Sequence, residues 1–280
     1  MSPQELYDRT CLRTSRLTTR AYSTSFSFGI RCLSRELRDP IYAIYGFVRF
    51  ADEIVDTFHD RDKASLLERF SEDTWRAIDK QISLNPILHS FQKVVNTYQI
   101  DHELIRQFLL SMEMDLEGKQ YDQSGYEKYI LGSAEVVGLM CLRVFCKGND
   151  AEYQRLKPDA MKLGSAFQKI NFLRDLHADY RQLGRSYFPD VDLANFDEQA
   201  KQKIEKDIAA DFQAGFRGIR QLPKGARLGV YVAYTYYLTL FKKIQRLPST
   251  AVLQHRIRVR NRQKLAILGY SFVKHQLNLI

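Results

Sequence analysis

Two stretches of this 280-residue chain carry carboxylates at a spacing that can do chemistry. The first, Asp39 to Asp56, reads DPIYAIYGFVRFADEIVD. At the helical advance of about 100° per residue, Tyr45, Arg49, Asp52 and Asp56 fall in one stripe about 60° wide. Ile41, Ile44, Val48, Ala51 and Val55 supply apolar packing beside it. The second, Phe167 to Asp179, reads FQKINFLRDLHAD and sets Gln168, Asn171, Asp175 and Asp179 in a stripe about 80° wide. Leu163, Phe167, Ile170 and Leu173 take the opposite side, toward a core. A surface helix turns its carboxylates to water among Lys and Glu. These aspartates are bracketed by aromatic and aliphatic residues, which predicts a cavity.

Four inward carboxylates repel one another and cost several kcal/mol each to desolvate. They require a cation, and hard oxygen ligands select Mg²⁺, with Mn²⁺ as a substitute. Magnesium held from two sides grips a diphosphate and stabilises it as a leaving group. Arg49 and Arg174 stand ready to neutralise the departing oxygens.

These carboxylates need a helical frame, and the composition supplies one. Hydrophobic residues make up 45% of the chain, while 7 prolines and 14 glycines are too few for a loop-rich or all-β fold. Periodicity predicts helices near 3–21, 39–58, 62–80, 85–97, 101–117, 122–147, 151–180, 197–221, 224–246 and 260–277. Asp39-Pro40 and Asn85-Pro86 read as helix starts, each with a capping side chain followed by proline. Ser124-x-x-Glu127 reads as a capping box. Residues 184–189 read as an ordered loop, and 248–261 as extended or irregular. One helical domain over 1–280 is the simplest organisation.

The bulk properties exclude several classes. No C-x-x-C pair occurs among Cys11, Cys32, Cys141 and Cys146, which argues against a thiolate zinc site and for reduced thiols. His102-Glu103 lacks the second histidine of a zinc protease. No P-loop or G-x-G-x-x-G motif is present. The N-terminus lacks an apolar signal region. The longest uncharged run, Leu228 to Phe241, is 14 residues, short of a membrane span. The expectation is a cytoplasmic protein that rests at most on a membrane surface. A net charge of +9 suits anionic lipid or phosphorylated substrates. Without a recognised module, nucleic acid is not expected as a partner. The cluster Lys242, Lys243, Arg246, Arg256, Arg258, Arg260, Arg262 and Lys264 reads either as a solvated face or as a patch for anionic lipid. Tyr231, Tyr234, Tyr236 and Tyr237 crowd one helix, divided between packing and a wall whose π-faces stabilise cations.

The motifs resemble those of the squalene and phytoene synthase family, the head-to-head prenyl synthases. AIYGFVRFADEIVD is similar to the family's first aspartate-rich motif, and FQKINFLRDLHADYRQLGRSYFP to its second. Tyr22-Ser-Thr-Ser-Phe26 resembles the segment that touches the substrate's diphosphate and tail, and Tyr129 to Met140 the family's cavity helix. Val230 to Ile244 resembles the late helix that closes the pocket. The resemblance implies an all-α isoprenoid-synthase fold with a central cavity. It implies that Asp52, Asp56, Asn171, Asp175 and Asp179 hold metal, and that Arg49 and Arg174 act with the aspartates in catalysis. Ser23, Ser25, Phe26, Tyr45, Tyr129, Gln168, Asn171, Tyr187 and Tyr237 would bind substrate. Leu131 and Gly132 stand where the family often has further tyrosines, which weakens a tyrosine acid/base on that helix.

The resemblance implies a magnesium-dependent prenyltransferase, and first a phytoene synthase of carotenoid biosynthesis using two geranylgeranyl diphosphates. In-class alternatives use farnesyl diphosphate and make presqualene diphosphate, dehydrosqualene or squalene, with NADPH needed only for squalene. A catalytically silent relative serving as an assembly factor is the remaining alternative. Such relatives lose the aspartates, and all four stand here.

Overall fold

The computed structural model describes residues 1–117, 121–183, 188–189, 196–254 and 256–280, with the side chains of 177–183 and of 261 outside the description. The described residues are helical and form no strand. The elements are α1 (Pro3–Tyr22), α2 (Thr24–Arg31), α3 (Arg35–Asp56), α4 (Lys63–Lys80), α5 (Pro86–Tyr98), α6 (His102–Glu117) and α7 (Gln123–Ile130). After a π-helical turn at Leu131–Glu135 come α8 (Val136–Phe145), α9 (Asp150–Leu183), α10 (Glu198–Gln221), α11 (Lys224–Gln245), α12 (Ser249–Val252) and α13 (Asn261–Gln276).

The two aspartate helices are fixed by different means. Helix α3 is held by apolar packing: Phe47 is fully buried and stacks on Phe91 of α5 at 3.9 Å, with Phe70 and Phe108 at 5.6 and 5.3 Å. Helix α9 packs most extensively on α10. There Lys169 pairs with Asp207 and Asp211 at 2.5 and 2.6 Å, and the Ser165 hydroxyl donates to Asp211 at 2.7 Å. Burial costs the Lys169 ammonium, but the two carboxylates more than offset this and raise its pKa.

Several expected boundaries are corrected. Helix α3 starts four residues before Asp39, so Pro40 lies inside it. Asp39 does not cap; its carboxylate takes Arg16 of α1 at 2.6 Å. A proline this close to a helix start gives up few backbone bonds, and buried Leu37 rewards the extra turn. The segment Thr24–Arg31 is a helix that periodicity missed because eight residues carry little signal. Ser23 caps it, accepting from the Phe26 amide at 3.1 Å. Asp122, not Ser124, caps α7, accepting from the Gly125 amide at 2.7 Å. Asn85 caps α5 as expected.

The expected helix over 122–147 is broken by the π turn. A Cβ on Gly132 would lie 2.6 Å from the Gln107 carbonyl of α6, and one on Gly164 would lie 2.8 Å from the Ala134 carbonyl. Backbone therefore approaches backbone on both sides of the turn, and an inserted residue is accommodated there. Beyond α12, Ile257 and Val259 are buried while Arg256, Arg258 and Arg260 are exposed, the alternation of an extended chain. Of the expected loop at 184–189, residues 184–187 lie outside the described residues. Phe188 is buried edge-on against Phe172 at 5.9 Å.

Helices α2 and α11 cross at a glycine pair. A Cβ on Gly229 would fall 2.4 Å from Leu33 Cδ2 and 2.6 Å from the Gly29 carbonyl. Gly229→Ala should therefore destabilise the protein by about 1–3 kcal/mol through overpacking. A denaturant midpoint unchanged from wild type would show that α2 has room to move.

Candidate active site

The two acidic stripes are linked by an arc of aromatic side chains. On α3, Tyr45 shares a side-chain hydrogen bond with Ser23 and lies near Arg49 and Asp52. Its ring is 5.8 Å from Phe26 of α2, and Phe26 is 6.2 Å from Tyr237 of α11. The Tyr237 hydroxyl donates to Asn171 Oδ1 of α9 at 3.3 Å. Asn171 in turn donates to Gln168 at 3.3 Å. The chain of contacts thus runs from the first stripe through α2 and α11 to the second. Tyr237 is 5% exposed, while Phe26 and Tyr45 are half-buried. Burial pushes the Tyr45 hydroxyl up to about 12 and raises that of Tyr237, so both remain neutral donors near pH 7.

The carboxylates are held in contrasting states. Asp52 is pushed up to about 7 by burial and by the Asp56 carboxylate, with Arg49 opposing. Asp175 lies between two guanidinium groups. Arg174 holds it at 2.5 Å through Nη2 and 3.1 Å through Nε, and Arg256 reaches it at 2.8 Å. The Arg174 pKa rises further because the Asp175 pair outweighs the cost of burial. Arg49 pairs with Glu53 and lies over the Tyr22 ring, 4.4 Å from its centroid. Among the described residues no three His, Cys, Asp or Glu side chains gather as a ready-made metal cage. Two separate carboxylate stations fit magnesium, which keeps its waters and binds one or two carboxylates together with substrate phosphates.

Other expected site residues have different surroundings. Asp56 is exposed, because it is the last residue of α3 and the chain turns away at Thr57. The expectation of four enclosed carboxylates is corrected at this position. The Tyr129 hydroxyl donates to buried Asp115 of α6 at 2.8 Å, which ties α7 to α6. Ser25 is half-buried on α2. The side chains of Asp179 and Tyr187 lie outside the described residues.

Two residues near the site were not legible as such. Arg256 stood in the sequence as one of eight surface cations, because its partner is 81 positions away. Phe167 packs against the core as expected, but it is half-buried and its ring also stacks on Tyr237 of the arc at 4.1 Å. The tyrosines of α11 divide: Tyr231 and Tyr234 pack on Phe216 of α10, while Tyr236 lies edge-on to Tyr237 at 5.4 Å.

The model of the squalene/phytoene synthase family matches residues 19–263. The chain belongs to that family. This prenyltransferase is 29% identical over 260 residues to a 15-cis-phytoene synthase of Synechococcus elongatus, an alignment covering 82% of each chain. It is 28% identical over 197 residues to a 4,4'-diapophytoene synthase of Staphylococcus haemolyticus, covering 68% of this chain and 66% of that one. Its fold is similar to that of a dehydrosqualene synthase crystallised with a ligand. That match has a TM-score of 0.82 at 20% identity and covers 98% of this chain and 99% of the other. It establishes the isoprenoid-synthase fold and, at this identity, the fold alone.

Proposed function

We infer that this prenyltransferase is a phytoene synthase, joining two geranylgeranyl diphosphates head to head. One observation carries the reading: two aspartate stations, one with Arg49 and one with Arg174 and Arg256, are joined by an aromatic arc in a chain of this family.

The chemistry follows from the side chains. Arg174 and Arg256 take up charge as the first diphosphate leaves and an allylic cation forms. The π-faces of Phe26, Tyr45, Phe167 and Tyr237 stabilise that cation, and their packing keeps water from quenching it. The double bond of the second substrate attacks the cation, and proton loss closes a cyclopropane that retains one diphosphate. Departure of that diphosphate, rearrangement and a further proton loss give the hydrocarbon. Magnesium, held by Asp52, Asp56, Asn171, Asp175 and Asp179, would supply the positive charge that makes each diphosphate a better leaving group. Gln168 would orient Asn171, and Ser23 would orient Tyr45. Ser25, Tyr129 and Tyr187 complete the proposed substrate-binding set.

A second reading has specific support. The similarity to a diapophytoene synthase favours farnesyl diphosphate and a thirty-carbon product. Incubation with each diphosphate and Mg²⁺, without NADPH, decides between them by hydrocarbon analysis. A forty-carbon product is expected. A thirty-carbon product alone would establish the second reading, and no product from either substrate would overturn both.

Arg256→Ala should lower turnover ~10- to 100-fold, the worth of a charge-assisted bond of about 1.5–3 kcal/mol. A rate within twofold of wild type would leave Arg256 outside the reaction.

The same reading implies work at a membrane surface. Each CH₂ of a long hydrocarbon product costs about 0.8 kcal/mol to expose to water, so release is into a bilayer. No helix among the described residues is long and apolar enough to cross a membrane.

A further inference from the structure

The C-terminal quarter of the chain has an unusual charge pattern. Residues 212–280 contain 13 Lys and Arg and no Asp or Glu, so the net charge of +9 comes wholly from this region. It comprises the last ten residues of α10, then α11, α12, the extended arginine segment and α13.

Helix α13 presents an apolar face to solvent. Leu265, Tyr270, Phe272 and Val273, with Leu277 and Leu279 just beyond the helix, are each more than half exposed. Leu265, Phe272 and Val273 share an arc of about 100° with Gly269, Gln276 and, at the helix entrance, Arg262. Ile267 and Ser271, on the other side, are buried, so the helix is already docked and the apolar arc is its outer face. Scattered exposed hydrophobics need no explanation, but a helix that buries one face and leaves the other apolar does. A groove of about 580 Å³ runs along one edge of α13, with Tyr234, Leu238 and Tyr270 among its walls and Lys242 and Lys274 beside them.

The cations expected to form a membrane patch are put to several uses. Arg256 faces Asp175, Lys243 donates to the Arg258 carbonyl at 2.9 Å, and Lys264 lies over the Tyr236 ring. Arg258, Arg260 and Arg262 are exposed at the entrance to α13, and Lys274 lies near its far end, over the Tyr270 ring.

We propose that α13 is an interfacial anchor, its outer face immersed at the headgroup boundary of an anionic bilayer while Arg258, Arg260, Arg262 and Lys274 bind headgroups. An apolar stripe flanked by cations without acids is what such a surface selects. A second copy of the chain fits poorly, since pairing two α13 faces would bring like charges together. The anchor deepens the membrane reading given above, and its test needs no prenyl substrate, so it stands or falls apart from the product assay.

The test is co-sedimentation of the full chain with vesicles of phosphatidylcholine alone or with added phosphatidylglycerol. Binding should be at least ~10-fold stronger to the anionic vesicles and weaken with salt, because surface charges are screened within about 8 Å at physiological ionic strength. The triple variant Leu265→Gln, Phe272→Gln, Val273→Gln should lose binding at least ~10-fold with an unchanged melting temperature. If the triple variant misfolds, Phe272→Trp provides the second test, its added indole being quenched by brominated anionic lipid. Undiminished sedimentation of a folded triple variant, equal binding to both vesicle types, or an unquenched indole would overturn the proposal. A dimer in solution that the triple variant dissolves would assign the face to a second copy instead.

Discussion

Asp52→Asn and Asp175→Asn should each lower turnover at least ~10²-fold, a loss of about 2.7 kcal/mol of transition-state stabilisation. Each removes one charge from a site proposed to hold the cation that draws the diphosphate away. Their effects on stability should be opposite. In metal-free protein the folded Asp52 has a pKa of about 7, raised by burial and by Asp56, against about 3.9 in an unfolded chain. The folded state therefore binds the extra proton between these values, and wild-type stability falls as pH rises through that window. Asparagine escapes this loss, so Asp52→Asn should melt higher than wild type above pH 7 in chelator, and level with it below about pH 4. Asp175 is paired with Arg174 and Arg256, and Asp175→Asn leaves two guanidinium groups facing each other. It should melt lower than wild type. Steady-state kinetics and melting scans in EDTA test both. Near-normal turnover would remove the aspartate concerned from the ligand set, and equal melting shifts would refute the charge assignment.

Chelation should have a still larger effect. Excess EDTA should lower turnover at least ~10³-fold, with recovery on adding Mg²⁺ or Mn²⁺ and little on adding Ca²⁺, which prefers longer bonds and more ligands. The binding can be read without turnover. Magnesium with inorganic diphosphate should raise the melting temperature, at about 2.7 kcal/mol when ligand reaches 100 times its Kd. Magnesium must displace the Asp52 proton, so its affinity should rise from pH 6 to pH 8. Full activity in chelator, or a magnesium affinity that falls with rising pH, would reject this site chemistry.

These outcomes bear on the reading of a bare chain. The two Asp-x-x-x-Asp stripes were legible because helical periodicity is local: the identities at 45, 49, 52 and 56 fix one face without reference to the rest of the chain. The same holds for 168, 171 and 175, and for the apolar positions Ile44, Ala51, Ile170 and Leu173, all buried. The long helices followed for that reason, and so did the fold class.

Tertiary structure decided whatever depends on a distant partner. Arg256 belongs beside Asp175 only because the extended segment after α12 folds back onto α9. Phe167 joins Tyr237 on the aromatic arc because α11 crosses there. The π turn arises where Gly132 and Gly164 bring three helices within backbone contact. Asp56 is exposed because α3 ends at it. The outer face of α13 is apolar in the sequence, but which face is outer depends on where Ile267 and Ser271 are buried. Periodicity places a side chain on a face, and only packing decides what that face meets.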